Sequence, residues 1–458
     1  MIRLYNTASR RIEEIKPLKA GRIGMYACGP TVYQRAHIGN LRSYVMQDIL
    51  RRQLERDGLK VKHVMNITDV GHLTDDADLG KDKLEEAAKN AGESAWDIAR
   101  RFTNAFTADM ERLNILKPTA MPRATDNIPE QIALVKELET KGYTYRTGDG
   151  IYFDTSKFPS YGSLSGQRLE DKEEGARVEA NPEKKHPTDF ALWKFSPTDQ
   201  KRQMEWESPW GMGFPGWHLE CSAMSRKELG QPFDIHCGGV DHISVHHENE
   251  IAQSEAAYGT KLANEWFHVE FLMVDGQKMS KSLGNVYTLD DLKERGFDPL
   301  SFRYFLLGAH YRQKQNFTWE ALQAAQNALT KLRQKVSGWK KPLLGCADLE
   351  AEFFGALEDD LNAPRALAVL WKTVDSDRPD EQKAESVLAM DKVFGLGLED
   401  YVSKPVTIPD DIHAFLDARA KARTESDWKE SDRLRDEIAA RGWFVEDTPE
   451  GQRAAPKD

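Results

Sequence analysis

Residues 23–67 read strand, helix, strand, and that order constrains the fold more than any other feature of the chain. The stretch Ile23 to Cys28 is short and apolar. Ile38, Leu41, Val45, Ile49 and Leu50 then recur at helical spacing, and Lys60 to Ile67 supplies a second strand. Strands joined through a helix pair in parallel, so the segment predicts a βαβ unit and the first half of a nucleotide-binding α/β fold. Between the first strand and the helix stand Cys28-Gly29-Pro30-Thr31-Val32-Tyr33 and His37-Ile38-Gly39-Asn40. Amides at such a helix start favour phosphate. Gly39, lacking a side chain, would let a flat purine lie on the backbone, and His37 adds a donor.

A second signature, Lys278-Met279-Ser280-Lys281-Ser282, follows an apolar strand and sits between Gly276 and Gly284. By itself it reads more readily as a basic surface loop. Its placement suits a mobile phosphate-gripping loop in which Lys281 meets charge developing as pyrophosphate departs. The two signatures together point to activation of a substrate with ATP.

From about 120 to 210 the pattern loosens into loops rich in Gly, Pro, Lys and Glu, and charges crowd from Asp171 to Lys185. An insertion between two halves of one sheet accounts for this. Strand-like segments return at Phe233 to His236 and Phe267 to Val274, and residues 300–400 favour helices. Met1 to Lys19 mixes charges throughout, and no apolar run reaches the roughly eighteen residues of a membrane span, which predicts a soluble cytoplasmic protein. The formal net charge of -11 argues against non-specific coating of nucleic acid, although a local basic surface remains compatible with it.

Four cysteines, Cys28, Cys221, Cys237 and Cys346, are too few and too scattered for a disulfide framework. His246 and Glu250 stand at i and i+4 of a predicted helix and share one face. With Cys221 and Cys28 they form a set able to hold zinc. Spacing alone favours the plainer alternative of a surface His246 and a core Cys221. A zinc-protease pattern is absent, since no histidine follows His247 by four positions.

The paired signatures resemble those of class I aminoacyl-tRNA synthetases, and Asn40 with Cys28-Gly29-Pro30 upstream is similar to the cysteinyl-tRNA synthetase family in particular. The resemblance continues through Asn66-Ile67-Thr68-Asp69-Val70, Asp189 to Lys194, Gly216 to Ser222, His246 to Glu250 and Lys278 to Asn285. It implies an α/β protein: a Rossmann-type parallel-sheet catalytic domain with an inserted connective segment, followed by a helical bundle and a small C-terminal domain. The expected segments are 1–120 and 211–300 for the halves of the catalytic domain, 121–210 for the insertion, 301–405 for the bundle and 406–458 for anticodon recognition. The resemblance further implies ATP-dependent activation of L-cysteine to cysteinyl adenylate and its transfer to the terminal ribose of tRNA(Cys), by a monomer with Mg2+ accompanying ATP.

Carried over by position, His37, Asn40, Lys278 and Lys281 are catalytic, with Gly39, His37 and Lys281 on the ATP. Gly29, Thr68, Trp217, His236 and Asp241 would line the amino-acid pocket. Cys28, Cys221, His246 and Glu250 would hold one zinc ion per chain, which separates cysteine from serine where shape alone discriminates poorly. Outside its motif, Trp217 would read as a core aromatic.

Some positions depart from the family pattern. Ser244-Val245 stands where Phe-Pro is usual, and Cys237, otherwise an incidental thiol, replaces a glycine beside the metal site, where it could compete as a ligand. Gly71 to Asp76 follows a version found in some members. At the C-terminus, Arg419, Arg423, Arg433, Arg435 and Arg441 are expected on phosphate, with a solvated helix pair as the alternative, and no tryptophan follows Gly451. Two rival activities are a cysteine ligase of the mycothiol-biosynthesis type with an amino-sugar acceptor, which lacks most of the anticodon domain, and a non-catalytic RNA-binding paralogue, which would have lost His37, Lys281 or a zinc ligand.

Overall fold

Strand β1 (Arg22–Ala27) buries its last three residues and ends one position before Cys28. Helix α1 (Ile38–Arg56) follows, and the five apolar residues that announced it are all fully buried. The second strand, β2 (Lys60–Met65), is shorter than its apolar run. Its last residue, Met65, is in register with Ala27 of β1 and also donates to the carbonyl of Ala120, and Ile67 just beyond donates to that of Pro122, so an incoming segment pairs along the other edge of β2. After the insertion come α2 (Trp217–Leu229), β3 (Phe233–Gly239), α3 (His246–Tyr258) and β4 (Ala263–Val269). The four strands form one parallel sheet in the order β4-β3-β1-β2, with Tyr26 of β1 in register with His236 of β3 and Val64 of β2. This is the doubly wound arrangement in which ligands bind beyond the carboxyl ends of the strands.

The computed structural model describes residues 1–71, 82–166, 182–197, 201–280, 283–403, 408–448 and 451–456. Lys281 lies outside them, as do 72–76 and most of the charged run from 171. Two readings change. The apolar stretch 267–274 is divided between β4 and a separate strand, Leu272–Val274, which pairs with Gln277–Lys278 and Gln315–Phe317 in a three-stranded sheet. The stretch read as loops contains a helix, Ile128–Thr140, and three short strands, Thr144–Arg146, Gly150–Phe153 and Phe190–Phe195, which form an antiparallel sheet with Gly213–Pro215 just beyond it. Their core is aromatic, with Phe153 stacked on Phe190 at 5.1 Å.

The chain divides into two compact units. The first comprises 1–291, 309–317 and 356–363; the second holds 292–308, 318–355 and 364–458. In the second, helices Asp410–Thr424 and Trp428–Ala440 pack on the hairpin of Trp443–Thr448 and Gly451–Pro456. The arginines expected on phosphate there are engaged with carboxylates. Arg419 is buried and donates to both oxygens of Asp447 at 2.8 and 2.9 Å. Arg423 pairs with Asp447, Arg433 with Glu430, Arg435 with Asp432 and Arg441 with Glu437. Arg419 is therefore a structural strut that fastens the hairpin. Among the described residues no helix is long and apolar enough to cross a membrane.

Arg42 ties α1 to the sheet that carries the second signature. It is fully buried, and its guanidinium donates to the carbonyls of Phe271 at 2.6 Å, Gln313 at 2.6 Å and His310 at 3.2 Å. Burial lowers its pKa to about 10, so the charge persists at neutral pH. Replacing Arg42 with Met removes three hydrogen bonds from a fully buried guanidinium position and is expected to cost about 2–4 kcal/mol in urea unfolding followed by tryptophan fluorescence.

Candidate active site

A cavity of about 370 Å³ opens where β1 and β3 end, within the first unit. At one end stand the two signatures. His37 caps α1: its Nδ1 accepts from Asn40 N–H at 3.2 Å, while Asn40 Oδ1 accepts from His37 N–H at 3.1 Å. The box fixes the neutral imidazole with its proton on Nε2. Ile38 N–H donates to the Tyr287 carbonyl, so fewer amides of the first turn remain for phosphate than the sequence reading assumed. The space above Gly39 that was assigned to a purine holds the Met279 methyl group, and a Cβ at Gly39 would overlap it. The two signatures thus meet directly, and Lys278 joins them on the cavity wall.

At the other end the sequence brings four distant segments together. Cys28 Sγ lies 3.9 Å from Cys221 Sγ, 3.4 Å from His247 Nε2 and 3.7 Å from Glu250 Oε1. His246 Nε2 is 3.0 Å from Glu250 Oε1, and His236 Nε2 is 2.9 Å from Glu250 Oε2. All six groups are buried. Two sets of four donors converge within 4.8 Å of one another: Cys28, Cys221, His246 and Glu250, and Cys28, His236, His247 and Glu250. Cys28, Cys221 and His246 line the cavity, whereas His236 and His247 stand behind them. Cys237 belongs to neither set. It is a buried strand residue in register with Ala27 and Phe267, and burial pushes its thiol upward.

The electrostatics of this cluster call for a cation. Burial and the adjoining Cys221 push the Cys28 thiol up. Burial would also raise Glu250, yet His236 and His246 hold its carboxyl well below the usual range. Burial opposes protonation of His246, but the Glu250 carboxylate and Cys221 outweigh it and lift the pKa to about 10. The donors therefore draw a proton onto His246 where a metal ion would serve. Outer partners are in place: His246 Nδ1 meets His218 at 2.9 Å, and His247 Nδ1 meets His268 at 2.7 Å.

Between the two ends lie Gly29, Thr68, Trp217 and Asp241, all on the cavity wall. The Trp217 ring sits 4.8 Å from that of His246. Two residues overlooked in the sequence organise this wall. Asn66 accepts from Gly29 N–H at 2.8 Å and donates to Thr68 Oγ1 at 3.0 Å, and Thr68 donates to the buried Glu220 at 2.8 Å. With its proton committed to Glu220, the Thr68 hydroxyl faces a ligand as an acceptor. Asn66 and Glu220 both lie inside recognised motifs, but their role depends on side-chain contacts that spacing does not encode.

Family comparisons agree with this geometry. Residues 14–327 match the model for tRNA synthetases class I (C) catalytic domain, and residues 407–453 match the cysteinyl-tRNA ligase anticodon binding domain. A cysteine–tRNA ligase 1 of Burkholderia lata is 56% identical over 98% of this chain and 96% of its own length. The chain belongs to the cysteinyl-tRNA synthetase family. The cysteine–tRNA ligase of Thermus thermophilus is a further member, 43% identical with 98% of each chain covered. Two solved structures share the fold: Mycobacterium tuberculosis methionyl-tRNA synthetase with methionyl-adenylate (TM-score 0.55, 18% identity, 82% of this chain and 90% of that one) and an Agrobacterium radiobacter LeuRS with tRNA and LeuAMS (TM-score 0.60, 12% identity, 85% and 86%).

Gly29 tests how tightly this family site is built. A Cβ there would run into the Asn66 carbonyl, which is backbone and cannot swing away. Gly29→Ala is expected to lower stability by about 1–3 kcal/mol in thermal unfolding, through displacement of β1 from the Asn66 segment.

Proposed function

We propose that the chain is a cysteine–tRNA ligase that performs both of its steps in this cavity. The carboxylate of L-cysteine attacks the α-phosphate of Mg-ATP in line, giving cysteinyl adenylate and pyrophosphate. The 2′ hydroxyl of the 3′-terminal ribose of tRNA(Cys) then attacks the carbonyl carbon of the adenylate, forming the ester as the anhydride bond breaks and AMP leaves. The observation that carries this reading is the make-up of one continuous wall: His37, Asn40 and Lys278 at one end, and Cys28, Cys221 and His246 at the other. The same reading has a monomer working in the cytoplasm.

His37 offers Nε2–H to the phosphates because Asn40 holds the opposite nitrogen. Lys278 and Lys281 complete the positive surface as charge builds on the leaving pyrophosphate. Met279 must withdraw from Gly39 for the base to settle there. Asp241 pairs with the substrate ammonium, Thr68 accepts from it, and Trp217 walls off solvent.

One zinc ion would be held by Cys28, Cys221, His246 and Glu250, the set with two thiols that reaches the cavity. It would supply a thiolate-selective position that a serine hydroxyl cannot match. His236 and His247 then act on the ligands themselves, His236 on Glu250 and His247 on Cys28. Cys221→Ser is expected to drop the zinc content well below one per chain and to raise the KM for cysteine by at least about 10-fold. Cys237→Ser should keep both, with atomic emission and pyrophosphate exchange as the readouts.

The anticodon-domain match supports tRNA over an amino sugar as acceptor. Purified protein is incubated with ATP, Mg2+, labelled cysteine and total tRNA. Label that becomes acid-precipitable and base-labile is expected. Cysteine-driven pyrophosphate exchange without such label would redirect the reading to another acceptor, and neither signal would indicate a non-catalytic paralogue.

A further inference from the structure

We infer that His242 is a substrate-contacting residue that donates from Nε2 to the carboxylate end of the bound amino acid. The inference rests on the reading of the cavity as a cysteine site. His242 closes the short turn Val240–His242 that follows β3 and lines the cavity beside Asp241. Its ring centroid lies 5.3 Å from that of His246 and 5.2 Å from that of His247. Gly238 makes this packing possible. A Cβ on Gly238 would sit 2.6 Å from His247 Cε1 and 2.7 Å from His242 Nδ1, so any larger residue would drive the two rings apart.

The orientation of the ring is set by the backbone. Gly239 N–H donates to His242 Nδ1 at 3.3 Å, which makes Nδ1 the acceptor and leaves the proton of the neutral imidazole on Nε2. Among the described residues no hydrogen bond engages that Nε2–H. A half-buried donor on a cavity wall, with its other nitrogen already committed, is poised for an acceptor from the ligand.

The chemistry of the ligand identifies that acceptor. Its thiol is drawn to the Cys28, Cys221 and His246 donors, and its ammonium to Asp241. His242 adjoins Asp241 in the chain and His246 in space, and all three line the cavity. The remaining polar group of an amino acid is the carboxylate, which only accepts hydrogen bonds. The same oxygens become the acyl and bridging oxygens of the adenylate, so one contact serves binding and positions the nucleophile.

The test is calorimetric binding of L-cysteine and of cysteamine, which keeps thiol and amine but lacks the carboxylate, to the zinc-loaded full chain. His242→Phe keeps a ring against His246 and removes the donor. It is expected to weaken L-cysteine about 10-fold or more while leaving cysteamine within about twofold. His242→Gln, with an amide donor of comparable reach, should recover most of the L-cysteine affinity and keeps the question open to test should the phenylalanine variant fail to fold. Unchanged L-cysteine affinity in the Phe variant, or in the Gln variant equal losses for both thiols, would overturn the inference while leaving the site reading intact. Wild-type protein binding neither thiol would overturn both.

Discussion

An ionised carboxylate cannot sit in a dry pocket without positive charge beside it, and the first unit gathers His236 and His246 around Glu250, with Cys28 and Cys221 at its side. The carboxylate and the thiols each come from a different part of the chain: Cys28 from the end of β1, Cys221 from α2, and Glu250 from α3. Four fully or nearly buried histidines surround them: His236, His246, His247 and His268. Isolated buried charge is among the costliest features a fold can carry, so such a cluster persists only where a cation or a ligand satisfies it. The donors already converge within 4.8 Å of one another, so the proposed zinc ion would need little reorganisation.

The same strand end that delivers Cys28 also begins the turn leading to His37. The sheet therefore sets the spacing between the Cys28 cluster and His37. Arg42 extends this control from α1 to the second sheet by holding the carbonyl of Phe271, seven residues before Lys278. Met279 resting on Gly39 adds a direct contact between the two signatures. On the proposed reading, the base of ATP would displace that methyl group from Gly39.

Much of this was legible in the sequence. The helix from Ile38 was legible because its apolar residues repeat at the helical period and all reach the core. The parallel sheet was legible because strand, helix and strand follow at close intervals. The insertion was read as loops because its strands are three to six residues long and alternate too briefly to register as a period. Arg419 was misjudged because an arginine's charge does not reveal whether Asp447 or a phosphate will meet it. Asn66, Glu220 and His242 were invisible as functional groups for a related reason. Asn66 and Glu220 meet Gly29 and Thr68 across the fold, and the ring of His242 is oriented by a bond to Gly239 that spacing does not announce.

The central claim is that this chain recognises its amino acid through sulfur at the Cys28–Cys221–His246–Glu250 donors. Replacing the metal with cobalt(II) and titrating with L-cysteine and L-serine tests it most directly, since a new sulfur–cobalt bond adds charge-transfer absorption in the near ultraviolet. The account expects a saturable rise with L-cysteine at about one equivalent per chain and none with L-serine. An unchanged spectrum on adding L-cysteine, in protein that still catalyses cysteine-dependent pyrophosphate exchange, would contradict it.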